Sequence, residues 1–270
     1  MAYSVVNYMV KDNGIAIIEY NRPESLNAVN LAMTVELPQA CREAELDPRV
    51  KLVIITGAGK GFSSGGDMAA LATMKNPIDA KITFDDSGSI ARAIYEISKP
   101  VIAAVNGPVA GASLASCMAC DIILASEKAR FGYTFSSIAF CPDNGTSYFL
   151  TQKVGYHKAA EILWFGKVLS AQEAYDLQLV NHLYPHETFM DEVMALAEQL
   201  LQRPLITAGY VKGLLRQALK NDFYQQADLE NLYQVLAYSS PDFMEGVRSF
   251  IGKREPDFNQ LSLDEVRSRA

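Results

Sequence analysis

Apolar residues follow two different rhythms along this chain, and the change between them divides it. Up to about residue 195, short and nearly continuous apolar runs alternate with helical patterns. Gly14–Tyr20 reads as a strand that stops at the turn Asn21-Arg22-Pro23. Val50–Thr56, Pro100–Val105 and Asp121–Ala125 are apolar and rich in β-branched residues, the mark of strands covered on both faces. Asn27–Asn30 leads into a helical run to about Leu46, in which Pro38 predicts a kink or a later start. Lys75–Ser87 is polar and without clear period, so it reads as a mobile loop or an irregular helix, and Ile90–Ile97 as helix. Strands alternating with helices predict βα units and a sheet with much parallel character.

Beyond that point the spacing of apolar residues becomes three and four. Phe189–Arg203, Ile206–Lys220 and Asp222–Tyr238 read as helices, and Ser240-Pro241 predicts an N-cap and first-turn proline for a last one to about Ile251. Ser170 with Glu173, and Thr188 with Asp191, fit capping boxes. Glu255–Ala270 is a polar tail, expected to be loose or laid on a neighbour. The pattern contains no internal repeat.

The chain has 270 residues, 49% hydrophobic and 20% charged, with a net charge of −7. That size supports one large core, or a core with a helical appendage. The acidic balance argues against a nucleic-acid surface, which needs a dense basic field. No run reaches the roughly 20 apolar residues that span a bilayer, and Met1–Asp12 lacks the basic start of a secretory signal, so a cytoplasmic protein is expected. Four cysteines in so long a chain do not make a disulfide framework. Cys117 and Cys120 form a CxxC, but inside an apolar helical pattern with no nearby histidine, which predicts buried core thiols and no metal site.

Two glycine-rich turns, in Gly61–Met68 and Lys99–Ser113, each follow an apolar strand pattern, and the second opens into a helix of small residues. Such turns leave backbone N–H groups unpaired, and two facing each other grip a carbonyl oxygen that gains negative charge. Tight packing of strand on helix is the plain structural alternative for either turn alone.

Five segments together, NRPESLNA (Asn21–Ala28), ITGAGKGFSSGGDM (Ile55–Met68), KPVIAAVNGPVAGAS (Lys99–Ser113), CDIILASEKARFG (Cys120–Gly132) and FGKVLSAQEAYDLQLVNHLYP (Phe165–Pro185), resemble the crotonase, or enoyl-CoA hydratase/isomerase, superfamily in order and spacing. The resemblance implies an α/β fold, a spiral of ββα units over residues 1–195 that binds acyl-CoA. It implies a helical trimerisation region over residues 196–270, and a homotrimer or dimer of trimers. The implied ligand is an acyl-CoA thioester, with coenzyme A as part of the substrate and no separate cofactor. By position it assigns the two oxyanion-hole N–H groups to Gly66 and Ala112. It further implies that Asn27, Ala28, Ser64, Gly65, Asp67 and Met68 hold the coenzyme A arm. For Asp67, a helix-capping role is an equal alternative.

Family hydratases use two glutamates, whose positions here hold Ala115 and Phe135, so hydration by that route is disfavoured. Asp143 matches the single acid of the superfamily's isomerases, which implies a double-bond shift from 3-enoyl-CoA to 2-enoyl-CoA. Asp-Asn-Gly is also a common turn, and an aspartate capping a helix from Thr146 would read the same. Phe131, Tyr133, Phe135, Phe140 and Phe149 are candidate apolar walls around the acid. An aryl-CoA dehalogenase-like hydrolase is a weaker expectation, because the histidine it needs would fall at Gly88, although Phe135 matches its substrate-stacking aromatic. Asp85 and Asp86 read as a solvated pair, yet would be the acids of a hydratase-like lyase. A non-catalytic acyl-CoA-binding protein is the remaining class.

Overall fold

A computed structural model describes residues 3–259. Two antiparallel strands, β1 (Val6–Val10) and β2 (Ile15–Tyr20), precede helix α1 (Leu31–Leu46) and β3 (Leu52–Gly57). Next come the single turn α2 (Met68–Leu71), the long α3 (Pro77–Glu96), β4 (Val101–Val105), β5 (Val109–Ala110) and α4 (Ala112–Met118). They are followed by β6 (Ile122–Ser126), β7 (Arg130–Gly132), α5 (Thr146–Val154), α6 (Tyr156–Trp164), β8 (Val168–Ser170), α7 (Ala171–Asp176) and β9 (His182–Tyr184). The chain closes with α8 (Phe189–Leu201), α9 (Leu205–Ala218), α10 (Phe223–Tyr238) and α11 (Pro241–Gly252).

Six strands form one sheet in the order β1-β2-β3-β4-β6-β9, parallel from β2 onward, and β5-β7-β8 form a second. Alternation along the parallel strands divides the core. Val53, Ile55, Val101, Ala103 and Val105 face α1, α3 and α4, whereas Leu52, Ile54, Ile102, Ala104 and Leu124 face Phe189, Val193 and Ala197 of α8. All six residues of β3 are buried, as a strand covered on both sides requires. Residue 195 therefore lies inside a helix that packs on the sheet. Among the described residues, no helix is long and apolar enough to cross a membrane.

Three local expectations change. Pro38 does not start α1, which begins at Leu31 and continues through it to Leu46. The carbonyl of Thr34, which Pro38 cannot bond, instead accepts the Ser89 hydroxyl of α3 at 3.2 Å. Of Lys75–Ser87, everything from Pro77 onward is regular helix within α3, started by the Asn76 side chain over the Ile78 and Asp79 amides with Pro77 at the first position. Only Ile90, Ala91 and Ile94 of α3 are buried, so its early turns carry no apolar period to read. Thr188 and Ser240 give no side-chain cap, although Pro241 does start α11, while Ser170 with Glu173 forms the expected box. Of the polar tail, Asn259 bonds the Leu201 and Arg203 carbonyls and accepts the Leu205 amide; residues 260–270 lie outside the described range.

Helix α9 is fixed to the sheet by one buried cation. Lys212 donates to Asp121 at 2.6 Å and to the Lys99 carbonyl at 2.9 Å, while Asp121 also accepts the Val101 amide of β4. Arg216 lies 3.6 Å from the same carboxylate and stacks over the Tyr95 ring. Removing one partner of a buried pair strands the other's charge. Lys212→Ala is therefore expected to lower unfolding stability by about 3 kcal/mol, read as an earlier urea midpoint, whereas Lys158→Ala, in an exposed pair with Glu161, leaves the midpoint unchanged.

Candidate active site

Two short parallel bridges bring the glycine turns together. Val29 pairs with Gly66, with the Val29 amide donating to the Gly65 carbonyl at 2.7 Å and the Asp67 amide to the Val29 carbonyl at 3.0 Å. Ser63 pairs with Val109: its amide donates to the Pro108 carbonyl, and its carbonyl accepts the Ala110 amide. In a parallel bridge the bonds come from the flanking residues, which leaves the Gly66 N–H turned away. Gly111, at φ +52°, turns the chain from β5 into α4, so the Ala112 amide lies in the first turn and has no intrahelical partner. Among the described residues, neither the Gly66 nor the Ala112 amide donates to another protein group.

The two turns touch. A Cβ on Gly65, at φ +90°, would stand 2.6 Å from the Ala110 carbonyl oxygen. Ser63 stitches them further, since its hydroxyl donates to the Asn27 carbonyl and lies 2.7 Å from the Ser113 hydroxyl. Both open amides border one cavity of about 560 Å3. Its lining includes Ser64, Gly66, Asp67, Met68, Ala112, Phe135 and Asp143.

Asn27, Ala28 and Gly65, expected beside the ligand, do not line it. The Asn27 side chain is fully buried, donating to the Ala58 and Gly61 carbonyls and accepting the Arg22 amide. The Ala28 carbonyl accepts the Arg22 guanidinium. These residues hold the first turn in place from behind. Asp67 caps α2 through the Ala69 amide and pairs with Arg22 at 3.1 Å, which holds its carboxyl below the usual range.

Asp143 does not cap α5. Its backbone carbonyl accepts the Thr146 amide, Gly145 is the capping residue, and the carboxyl oxygen Oδ1 is buried with no hydrogen-bond partner. Burial pushes its pKa up to about 6. Of the five aromatics expected around it, Phe135 and Phe140 line the cavity, Phe131 and Tyr133 belong to the core, and Phe149 packs against that core. Phe84 on α3 supplies a wall that the sequence reading missed, edge-on to Phe140 at 5.7 Å. Asp85 and Asp86 separate. Asp85 pairs with Lys81 on the exposed side, whereas Asp86 lines the cavity. Gly88 packs against the Asp143 loop, where a Cβ would stand 3.2 Å from Asn144 Oδ1. Ala115 is fully buried in α4.

All four cysteines are free thiols, with Cys117 and Cys120 buried as expected. Among the described residues, no three histidine, cysteine or acidic side chains are placed to hold a metal ion.

A carboxyl whose folded pKa exceeds its unfolded one favours folding while protonated and loses that advantage as pH rises. A shift from 3.8 to about 6 corresponds to about 3 kcal/mol once the group is fully ionised. Asp143→Asn is therefore expected to melt higher than the parent protein at pH 8, with the difference vanishing below about pH 4, as calorimetry across that range would record. Gly65→Ala, at a positive φ and with its Cβ 2.6 Å from the Ala110 carbonyl oxygen, is expected to push the two turns apart and lower the melting temperature recorded by calorimetry.

A family model described as Enoyl-CoA hydratase/isomerase matches residues 10–261. The chain is 32% identical to 1,2-epoxyphenylacetyl-CoA isomerase of Escherichia coli, over 92% of this chain and 95% of that protein. It is 33% identical to the mitochondrial enoyl-CoA hydratase of Pongo abelii, over 95% and 87% of the two chains. A crystal structure of enoyl-CoA hydratase from Bacillus anthracis superposes with a TM-score of 0.91 at 25% identity, covering 96% of this chain and all of that one. With its paired open amides, its cavity and these relatives, the chain belongs to the enoyl-CoA hydratase/isomerase family and has the crotonase fold.

Proposed function

We propose that this member of the family moves a double bond, converting 3-enoyl-CoA to 2-enoyl-CoA with Asp143 as the shuttling base. The observation that carries the reading is a partly buried carboxyl, one oxygen unpartnered and its pKa raised to about 6, in the cavity that also holds both open amides. The Asp143 carboxylate takes a proton from C2 of the thioester. The C–H electron pair moves into a dienolate whose negative charge falls on the thioester oxygen, held by the Gly66 and Ala112 N–H groups. Asp143 returns the proton to C4, and the double bond lies between C2 and C3. Atoms and charge balance, and the cycle needs no metal or redox cofactor. Raising the carboxyl pKa makes its anion a stronger base.

Support also comes from two relatives named as isomerases, of 1,2-epoxyphenylacetyl-CoA and of a trans-2-decenoyl acyl-carrier-protein thioester. Ser64, Met68, Asp67 and Phe135 contact the substrate in this reading. Assembly is as a homotrimer or dimer of trimers in the cytoplasm, and the exposed Phe223, Tyr224, Leu232 and Val235 of α10 suit such an interface.

A second reading, hydration of 2-enoyl-CoA, is favoured by the place of Asp86 in the same cavity, because hydration uses two proton-handling groups. It predicts a 3-hydroxyacyl product that both Asp143→Asn and Asp86→Asn abolish.

Incubation with 3-enoyl-CoA tests the first reading. Isomerase kcat/KM is expected to rise with pH through an apparent pKa near about 6, because only the ionised carboxylate accepts the proton. Asp143→Asn is expected to lower kcat by at least about 100-fold with thioester affinity retained. Full-rate hydration of 2-enoyl-CoA by that variant would overturn the assignment.

A further inference from the structure

One face of α3 forms a wall of the cavity, and what it presents is acidic. Asp79, Thr83, Phe84, Asp86 and Ser87 all line the space, at helical spacing. Two of the four lining carboxyls are already engaged. Asp67 pairs with Arg22, and Asp79 accepts the Lys75 amide and the Asn76 side chain. Asp86 differs: among the described residues its carboxylate accepts no hydrogen bond and makes no ion pair. It shares the wall with Asp143, because α3 rests on the Asp143 loop. Phe84 meets Phe140, the Ser87 hydroxyl reaches Asn144 Oδ1 at 3.5 Å, and Gly88 sits close enough that a Cβ would crowd that same atom. No lysine, arginine or histidine among the described residues lines the cavity.

A half-buried carboxylate facing a ligand has two consequences. It rewards a donor that can reach it, and it repels a second anion for which no cation is at hand. We propose that Asp86 sets acyl specificity. The cavity takes uncharged acyl groups, prefers those carrying a hydroxyl toward α3, and refuses acyl groups that end in a carboxylate. This rests on the acyl-CoA reading of the site and not on the isomerase step.

Equilibrium binding of saturated thioesters separates the two, since these have no double bond to move. Calorimetric Kd values for butyryl-CoA, 4-hydroxybutyryl-CoA and succinyl-CoA compare a methyl, a hydroxyl and a carboxylate at one chain length. The hydroxyl compound is expected to bind severalfold tighter than butyryl-CoA, and succinyl-CoA at least about tenfold weaker. Asp86→Asn is expected to restore most of the succinyl-CoA affinity. Asp85→Asn, altered on the exposed side of the same helix, is expected to change nothing and controls for damage to α3. Equal binding of butyryl-CoA and succinyl-CoA, or an Asp86→Asn pattern identical to the parent's, overturns the assignment. Retained discrimination in a protein without isomerase activity would sink the reaction and leave this specificity standing. Failure to bind any of the three would remove the acyl-CoA site, and this inference with it.

Discussion

The site depends on a pair of backbone bridges, Val29 to Gly66 and Ser63 to Val109, that clamp one glycine turn between the start of α1 and the turn into α4. The first bridge uses the Gly65 carbonyl and the Asp67 amide and leaves the Gly66 amide over, while the Ala112 amide is left over because it opens the first turn of α4 just beyond the second bridge. An unpaired N–H inside a protein normally costs free energy. Here the two leftover donors border a cavity, where the proposed reaction would place the thioester oxygen. The closeness that makes this possible is a steric demand: Gly65 lies against the Ala110 carbonyl with no room for a side chain.

The same logic runs through the acid. Asp143 is carried on a turn whose next two residues, Asn144 and Gly145, both have positive φ, and this turn ends at the buried Thr146. The turn bonds the Asp143 carbonyl to the Thr146 amide and leaves the carboxyl oxygen Oδ1 without a donor. Stability is given up at the residue proposed to do chemistry, in the manner expected of a poised base. Behind it, α3 braces the loop through Phe84, Ser87 and Gly88, while Ser89 meets the carbonyl that Pro38 leaves open on α1. A proline that would ordinarily disrupt a helix is accommodated by the helix that forms the cavity wall.

Residues around the first turn show how supporting and contacting roles divide. Asn27 and Arg22 are spent on carbonyls and on Asp67, and none of Asn27, Ala28 and Gly65 borders the cavity. Their work is to fix the main chain from which Ser64, Gly66 and Met68 do border it. Side chains chosen by sequence position near a motif thus fall on both sides of one strand-like segment.

From the sequence alone came the parallel βα core, because strands buried on both faces must be apolar throughout, and the helical last third, whose apolar period is plain. The two glycine turns were legible as turns, but the assignment of their amides and of the single acid came only through the family resemblance, because Asp-Asn-Gly by itself reads equally as a turn or a cap. Helix α3 was not: its early turns face a cavity instead of the core, so no apolar stripe marks them, although Asn76-Pro77 was an available start signal. Nor could sequence tell Asp85 from Asp86, adjacent residues that a helix turns about 100° apart, one toward Lys81 and one toward the cavity. Whether Asp143 capped a helix or stood unpartnered was likewise a tertiary matter. Burial and hydrogen-bond partners are properties of what folds against a residue, and that is set by chain segments far away in sequence.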